Sequence, residues 1–194
     1  MKQEKYSVRA VFDEETITVY QAYRPAIAIP AVENQKFVLP FKMDRMTWIK
    51  PSYLWMMYRS GWAKKEGQEH VLAIKIKRVG WEWARKNACL SHYVSDVHES
   101  YEDWQKQLKQ APVRIQWDPE KDIHLNKLVY KSIQVGLSAE AVDKYVNEWV
   151  VSIDDISDEC RRIHALILDG KVDEAKLLLP EEKVYSTELP VHSE

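Results

Sequence analysis

The order of its strand-like and helix-like segments is the feature that most restricts how this chain of 194 residues folds. The run His70–Lys77 alternates apolar and polar residues, which predicts a strand with one solvated face. Such strands and amphipathic helices follow one another without the regular strand–helix–strand repeat of a parallel doubly wound sheet. The sequence therefore predicts a single α+β domain over residues 1–180, with a mostly antiparallel or mixed sheet and packed helices. Residues 181–194 are expected to form a partly ordered tail.

The same patterns predict the individual elements. Strands are predicted at residues 6–11, 16–20, 45–49, 70–77, 112–117 and 128–135, the first two as a hairpin and the fifth ending in a turn at Asp118-Pro119. Helices are predicted at residues 25–32, 51–58, 81–90, 101–110 and 172–179, with one more capped by Ser138 and another capped by Asp154 or Asp155.

Composition and motifs exclude several classes of protein. With 45% hydrophobic and 30% charged residues, the chain can bury a core and is not expected to be disordered. Only five glycines are present, and neither a P-loop nor a GxGxxG dinucleotide fingerprint occurs. Cys89 and Cys160 lie far apart without CxxC spacing, and the six histidines show no ligand pattern, so we expect reduced thiols and no metal site.

The N-terminus carries no apolar segment of the secretory type, and the longest apolar runs are much shorter than the roughly 20 residues that cross a bilayer. A cytoplasmic protein without a membrane partner is the expectation.

A cationic segment stands out from the near-neutral net charge of −2. Residues 42–65 carry six Lys or Arg against the single Asp44, a net charge of +5, so the rest of the chain sums to −7. Three of the eight tryptophans and four of the five methionines fall in the same segment. We interpret the aromatic and methionine side chains mainly as core, and the cations as the edge of a binding site.

The segment predicts an anion site at a helix N-terminus. A strand that turns through Lys50-Pro51-Ser52 into a helix presents free N–H groups and a positive dipole beside Arg45 and Lys50. The predicted ligand-binding residues in this segment are Arg45, Lys50, Ser52, Tyr58 and Arg59.

Two further stretches are predicted to contribute to the site. Tyr20, Gln21 and Tyr23 end the hairpin with groups that stack on a base and read its edge, although ordinary strand-end tyrosines are the alternative. In the strand at 112–117, a period of two places Arg114, Gln116 and Asp118 on one face, with Glu120 beyond the turn. A carboxylate there either stabilises a cationic transition state or forms a structural salt bridge, with Arg114 or Arg45 as the partner.

Five long strings of the sequence carry a family resemblance: VYQAY from Val19, RMTWIKPSYLWMMYRSGW from Arg45, QEHVLAIKIKR from Gln68, VRIQWDPE from Val113 and SIQVGLSAEAVDKYVNEWV from Ser132. They resemble a bacterial and fungal family known as domain of unknown function 4291. Together they span most of the chain, but the family name implies no activity.

The order of elements is also similar to ADP-ribosyltransferase-type folds. That resemblance implies a polar residue on an early strand, matched by Gln21 or Tyr23, and a Ser or Thr at a strand-to-helix junction, matched by Thr47 or Ser52 with Tyr58 following. It implies an acidic residue on a late strand, matched by Glu120. The early His or Arg of such folds is missing unless Arg24 replaces it.

Three functions therefore stay open. The first is a transferase that binds a nucleotide, with NAD as the candidate cofactor and with Glu120 and Tyr23 as catalytic residues. The second is a module that binds RNA or single-stranded DNA through the cationic segment without catalysis. The third is a structural or partner-binding domain whose tryptophans serve the core and an interface.

Overall fold

The computed structural model describes residues 5–185, which form one α+β domain. The strands are β1 (Arg9–Ala10), β2 (Thr16–Tyr23), β3 (Thr47–Ile49), β4 (His70–Lys77), β5 (Ala88–Leu90), β6 (Val113–Lys121), β7 (Lys127–Leu137), β8 (Val150–Asp155) and β9 (Lys183–Val184). The helices are α1 (Pro25–Asn34), α2 (Tyr53–Ser60), α3 (Arg78–Lys86), α4 (Tyr101–Gln110), α5 (Glu140–Lys144), α6 (Ser157–Leu168) and α7 (Val172–Leu177), with a π-helical turn at Tyr145–Trp149.

Two mixed or antiparallel sheets form the centre of the domain. One contains three antiparallel strands in the order β2-β4-β8, and the other contains four strands in the order β3-β7-β6-β5. All pairs in the second sheet are antiparallel except β5 with β6. A short third sheet pairs β1 with β9, which brings residues 183 and 184 back to the start of the chain. The predicted mostly antiparallel or mixed sheet is confirmed.

The sheets are joined at one point that positions the candidate site. The amide of Tyr20 donates a hydrogen bond to the carbonyl of Lys50 at 2.7 Å, linking β2 to the end of β3. Beyond this link β2 continues along β4, whereas β3 continues along β7. The space between the two sheets therefore opens beside Gln21, Tyr23 and Thr47.

Tryptophan rings pack directly on the backbone of two glycines. Trp81 is fully buried, and Trp149 packs on Gly80 of α3 so closely that an added Cβ would lie 2.4 Å from its ring. Trp48 similarly covers Gly136 of β7, where a Cβ would lie 2.9 Å from the indole. A glycine is needed at both positions because the neighbouring ring occupies the space of a side chain.

Several element predictions were wrong, each because a longer-range contact overrides the local pattern. The expected turn at Asp118-Pro119 is instead part of β6, which continues to Lys121 through a shift in register. Ser138 does not cap a helix, because its hydroxyl donates to the carbonyl of Pro112, and α5 begins only at Glu140. The helix predicted at 81–90 begins earlier, at Arg78, and ends at Lys86, before β5.

The structure describes residues 181–185, which are the first five residues of the predicted tail. Tyr185 is buried, and its amide donates to the carbonyl of Val8 at 2.8 Å. Residues 186–194 lie outside the described part of the chain.

None of the helices in residues 5–185 is long and apolar enough to cross a membrane.

Candidate functional site

A cavity of about 630 Å³ lies where the two sheets separate, a size typical of small-molecule sites. Its walls come from the end of β2, the segment through β3 to Lys50, helix α2 and the adjoining faces of β6 and β7. The lining residues with polar or aromatic side chains are Gln21, Tyr23, Arg45, Thr47, Trp48, Lys50, Trp55, Arg59, Gln68, Gln116, Asp118 and Gln134. Four glutamine amides, two indoles and three cations thus face one space.

Gln21 is held in a single orientation on the cavity wall. Its amide nitrogen lies 2.7 Å from Thr47 Oγ1 and 2.8 Å from the Tyr23 hydroxyl, and its amide oxygen accepts from Tyr145 Oη at 2.7 Å. Burial raises the pKa of Tyr23 to about 12, so its phenol stays protonated at neutral pH. This network ties β2 to β3 and fixes both polar side chains before any ligand arrives.

Lys50 forms a buried ion pair beside the cavity. Only 1% of the side chain is exposed, and Nζ donates to Asp118 Oδ2 at 2.9 Å while lying 3.3 Å from the centre of the Trp55 ring. Burial lowers the pKa of Lys50 from 10.5 to about 8, although the charges of Asp118 and Glu120 oppose that shift. The ammonium group is therefore stabilised by a carboxylate on one side and an aromatic face on the other.

Asp118 accepts two amide hydrogen bonds in addition to the one from Lys50. Gln116 Nε2 donates to Oδ1 at 3.0 Å, and Gln134 Nε2 donates to Oδ2 at 2.9 Å. Gln116 and Gln134 face each other across β6 and β7, so the strand register itself assembles the cluster. The side chain of Asp118 keeps 19% of its surface exposed, which leaves it in contact with the cavity.

The N-terminus of α2 is closed by residues of this chain. Ser52 accepts from the amide of Trp55 at 3.2 Å and donates to Glu120 Oε1 at 2.8 Å. The amide of Tyr53 donates to Glu182 Oε1 at 2.7 Å. Burial, and then the charge of Glu120, raise the pKa of Glu182 to about 8. Two carboxyl groups therefore already occupy the position where the sequence predicts an external anion.

Arg45 and Arg59 are the exposed cations of the cavity. Within residues 5–185, neither guanidinium forms a hydrogen bond or an ion pair with another residue. Arg59 lies in the last turn of α2, and Arg45 precedes β3, so they approach the cavity from two elements. Both are available to an anionic ligand.

The structure brings together six of the eleven predicted site residues. The cavity is lined by Gln21, Tyr23, Arg45, Lys50, Arg59 and Gln116. The other five, Tyr20, Ser52, Tyr58, Arg114 and Glu120, lie outside its lining.

These five have other surroundings. Tyr20 is 3% exposed and packs edge to face on Tyr53, on the opposite side of β2 from Gln21. Tyr58 is half exposed, and Lys121 Nζ lies 3.5 Å from its ring centre. Arg114 is half-buried on β6, and its Nε has no hydrogen-bond partner in the described chain. Glu120 is 4% exposed and accepts from Ser52 and from the amide of Lys121.

Gln134, Gln68 and the indoles of Trp48 and Trp55 also line the cavity, although they are not among the residues predicted from the sequence. The face shared by Gln116 and Asp118 was visible from their period of two, but the partner of Asp118 is Lys50 and not Arg114 or Arg45. Gln134 joins this face only through the β6–β7 register, for which no local signal exists. The sequence pattern indicates a core position for Trp48, whereas the side chain is partly exposed along the cavity.

Within residues 5–185, no three His, Cys, Asp or Glu side chains come together in a way that would hold a metal ion. Cys89 and Cys160 are both free and buried. Burial raises the pKa of the Cys160 thiol to about 12, so neither a metal-binding nor a nucleophilic thiolate is indicated there.

The fold and the cavity define a single-domain α+β protein with a cationic, amide-rich cleft between two sheets. The chain belongs to the family described as Domain of unknown function (DUF4291), whose profile matches residues 7–185. That match covers the cavity and all of both central sheets. No curated protein matches the sequence significantly.

Proposed function

We propose that the cleft binds a NAD-like dinucleotide and that the protein is a nucleotide-dependent transferase similar to ADP-ribosyltransferases. The observation that carries the proposal is the meeting of two uncommitted guanidinium groups, two indoles, four glutamine amides and a carboxylate in one cavity. A dinucleotide combines a pyrophosphate, flat bases and ribose hydroxyls, which match the free guanidinium groups, the aromatic surface of Trp48 and the side chains of Gln68 and Asp118.

Arg45 and Arg59 supply the groups for the pyrophosphate. A planar guanidinium forms paired hydrogen bonds to phosphate oxygens, and both side chains are free to turn toward the ligand. Lys50 is less available because Asp118 and Trp55 already hold its ammonium group. Trp48 and Tyr23 offer aromatic surface for a base, and the amide of Gln68 offers hydrogen bonds to its edge.

Asp118 is the carboxylate in position to act on the ligand. In the proposed reaction the bond between ribose C1′ and the nicotinamide nitrogen breaks, and nicotinamide leaves as a neutral molecule with the bonding electron pair. The cationic C1′ centre is stabilised by Asp118, and an acceptor hydroxyl or amine then bonds to C1′ and loses its proton to solvent. Tyr23 remains protonated and is a hydrogen-bond donor to the substrate in this scheme.

Glu120 has a supporting position. Its carboxylate is buried against Ser52, and its charge helps to keep Lys50 protonated. The prediction that Glu120 is catalytic stays a prediction, and it can be separated from the role proposed for Asp118. If Asp118 acts, Asp118→Asn removes nicotinamide release with little change in dinucleotide binding, whereas Glu120→Gln retains measurable release. The reverse result would transfer the role to Glu120.

Binding is tested first by thermal unfolding with NAD, ADP-ribose and AMP. A ligand present at 100 times its Kd stabilises the folded state by about 2.7 kcal/mol, which is readily detected. The double variant Arg45→Ala with Arg59→Ala should lose the shift, while Lys86→Ala with Lys109→Ala, which removes two exposed charges outside the cavity lining, should retain it. Absence of a shift with every nucleotide at millimolar concentration would remove the basis of the proposal.

A further inference from the structure

A second cavity, of about 410 Å³, adjoins the first and shares Tyr23, Arg45, Met46 and Thr47 with it. Its remaining lining residues are Arg24, Ile27, Pro40, Phe41, Lys42 and Gly67. The charged members are therefore Arg24, Lys42 and Arg45, and none of the described residues that line this cavity carries a carboxylate. Asp44 and Glu66 lie nearby in sequence but outside the lining.

The three cations have no internal partners, and the backbone of one of them, Arg24, is anchored. Arg24, Lys42 and Arg45 are exposed, and each lacks a side-chain hydrogen bond or ion pair within the described chain. The carbonyl of Arg24 accepts from the amides of Ile27 and Ala28, which fixes it at the start of α1. A cluster of positive charge without internal partners is an electrostatic site for phosphates.

The apolar part of this cavity contains aromatic rings that pack on one another. Phe41 is buried, with its ring centre 4.5 Å from that of Phe37 and 6.1 Å from that of Tyr23. Ile27 and Met46 complete this surface. Cations at the rim and an aromatic base are the combination by which proteins hold single-stranded nucleic acid, with phosphates at the rim and an unstacked base inside.

Other exposed cations belong to the same cationic segment of the chain. Arg59 lines the first cavity, and Lys64 and Lys65 are exposed shortly after the end of α2. A small anion would need only one such group, whereas a strand uses several along its backbone.

We propose that the second cavity, lined by Arg24, Lys42, Arg45 and Phe41, binds a phosphate-bearing segment of single-stranded nucleic acid. This site goes beyond the proposed dinucleotide cleft and does not rest on it. Because the two cavities share one wall, a strand held here would present its end or an unpaired base to the first cavity. The nucleic acid is then the macromolecular partner of the protein.

The test is fluorescence anisotropy with a fluorescein-labelled 12-nucleotide oligouridylate between 50 and 200 mM KCl. Each phosphate contact on a single strand contributes about 0.7 to the slope of log affinity against log salt, so Arg24→Ala with Lys42→Ala should reduce the slope by about 1.4. The affinity advantage of the wild type over this variant then shrinks about 7-fold across the salt range. The matched control, Lys86→Ala with Lys109→Ala, should keep the wild-type slope.

Several outcomes would overturn the proposal: no oligonucleotide binding at 50 mM KCl, equal slopes for the wild type and the Arg24/Lys42 variant, or tighter binding of a labelled hexaglutamate peptide. Competition by NAD separates the two cavities. If NAD displaces the strand, and the Arg24/Lys42 variant loses NAD affinity to the same extent, the cavities form one dinucleotide site and the proposal fails. If the strand binds and no nucleotide does, this inference stands and only the proposed transferase function falls.

Discussion

Replacing Asp118 by Asn is expected to destabilise the protein much more than replacing Lys50 by Met. Lys50 is 1% exposed and has Asp118 as its ionic partner at 2.9 Å, so the Asn variant leaves a buried ammonium group without a counter-charge. The new Asn amide also places a donor among three donors, those of Lys50, Gln116 and Gln134. Met at position 50, in contrast, removes the charge that is costly to bury.

The magnitudes follow from the burial of each group. Removing one member of a buried pair costs about 3–5 kcal/mol, and the partial exposure of Asp118 favours the lower end, about 3 kcal/mol. Lys50→Met loses the contact with the Trp55 ring but leaves Asp118 with two amide donors, so its cost is about 1 kcal/mol. The double variant should therefore be more stable than Asp118→Asn alone, a coupling that a double-mutant cycle measures directly.

The pH dependence gives this prediction a second test. In the wild type the pKa of Lys50 is lowered from 10.5 to about 8, so between these values the folded state binds fewer protons than the unfolded state and stability rises with pH. Without Asp118 the pKa falls further, and this rise begins at lower pH. Each further unit by which the pKa of Lys50 falls is equivalent to about 1.4 kcal/mol. The difference in free energy of unfolding between wild type and Asp118→Asn should therefore become about 1 kcal/mol smaller from pH 7 to pH 9.5.

Urea unfolding followed by tryptophan fluorescence supplies these values from the midpoints, provided that the slopes agree among variants. A cost below about 0.5 kcal/mol for Asp118→Asn would show that the Lys50–Asp118 ion pair contributes little to stability. A larger loss of stability for Lys50→Met than for Asp118→Asn, or a cost of Asp118→Asn that is the same at pH 7 and pH 9.5, would contradict the prediction.

Three further predictions concern the elements around the cleft. Glu182→Gln keeps an acceptor for the Tyr53 amide but removes a carboxyl group whose pKa is raised to about 8. Because this raised pKa makes wild-type stability fall as pH rises from about 4.5 to 8, the free energy of unfolding of the variant should increase by at least about 1 kcal/mol relative to wild type between pH 5 and pH 8. The same pH dependence for both proteins in urea unfolding would contradict this. Gly136→Ala pushes Trp48 toward the cavity, so it should cost about 1–3 kcal/mol and weaken NAD binding in calorimetry; unchanged affinity would place Trp48 outside the site. Gly80→Ala should also lower the free energy of unfolding in urea by about 1–3 kcal/mol, without altering the NAD affinity of the folded protein. A variant as stable as the wild type would show that Trp149 can move aside.

Elements with a strong local period were predictable from the sequence. The alternation of His70–Lys77 predicts the bounds of β4 correctly. Helix α4 spans the predicted residues 101–110, and Ser100 caps its N-terminus ahead of two acidic residues in the first turn. The strand β8 was missed, because Val150–Asp155 follows a helical pattern directly and is extended only through its pairing with β4. Such strands depend on a partner that is distant in sequence.

The candidate site was predictable where one segment carries several of its residues. Arg45, Lys50 and Arg59 stand out as cations in a Trp-rich segment, and the structure places all three on the cavity wall. The local sequence does not show that the α2 N-terminus is already occupied, because Glu120 and Glu182 reach it from β6 and from the C-terminal segment. Position in the sheet register, and not residue type, decides that Asp118 faces the cavity while Glu120 faces Ser52.

A crystal structure of the protein with NAD would show directly whether the cavity between the sheets is a dinucleotide site. We expect density in the cavity between the sheets, with the pyrophosphate within hydrogen-bond distance of Arg45 and Arg59 and the nicotinamide ribose facing Asp118. A dinucleotide bound elsewhere, or an empty cavity in crystals that hold NAD at saturating concentration, would contradict this expectation.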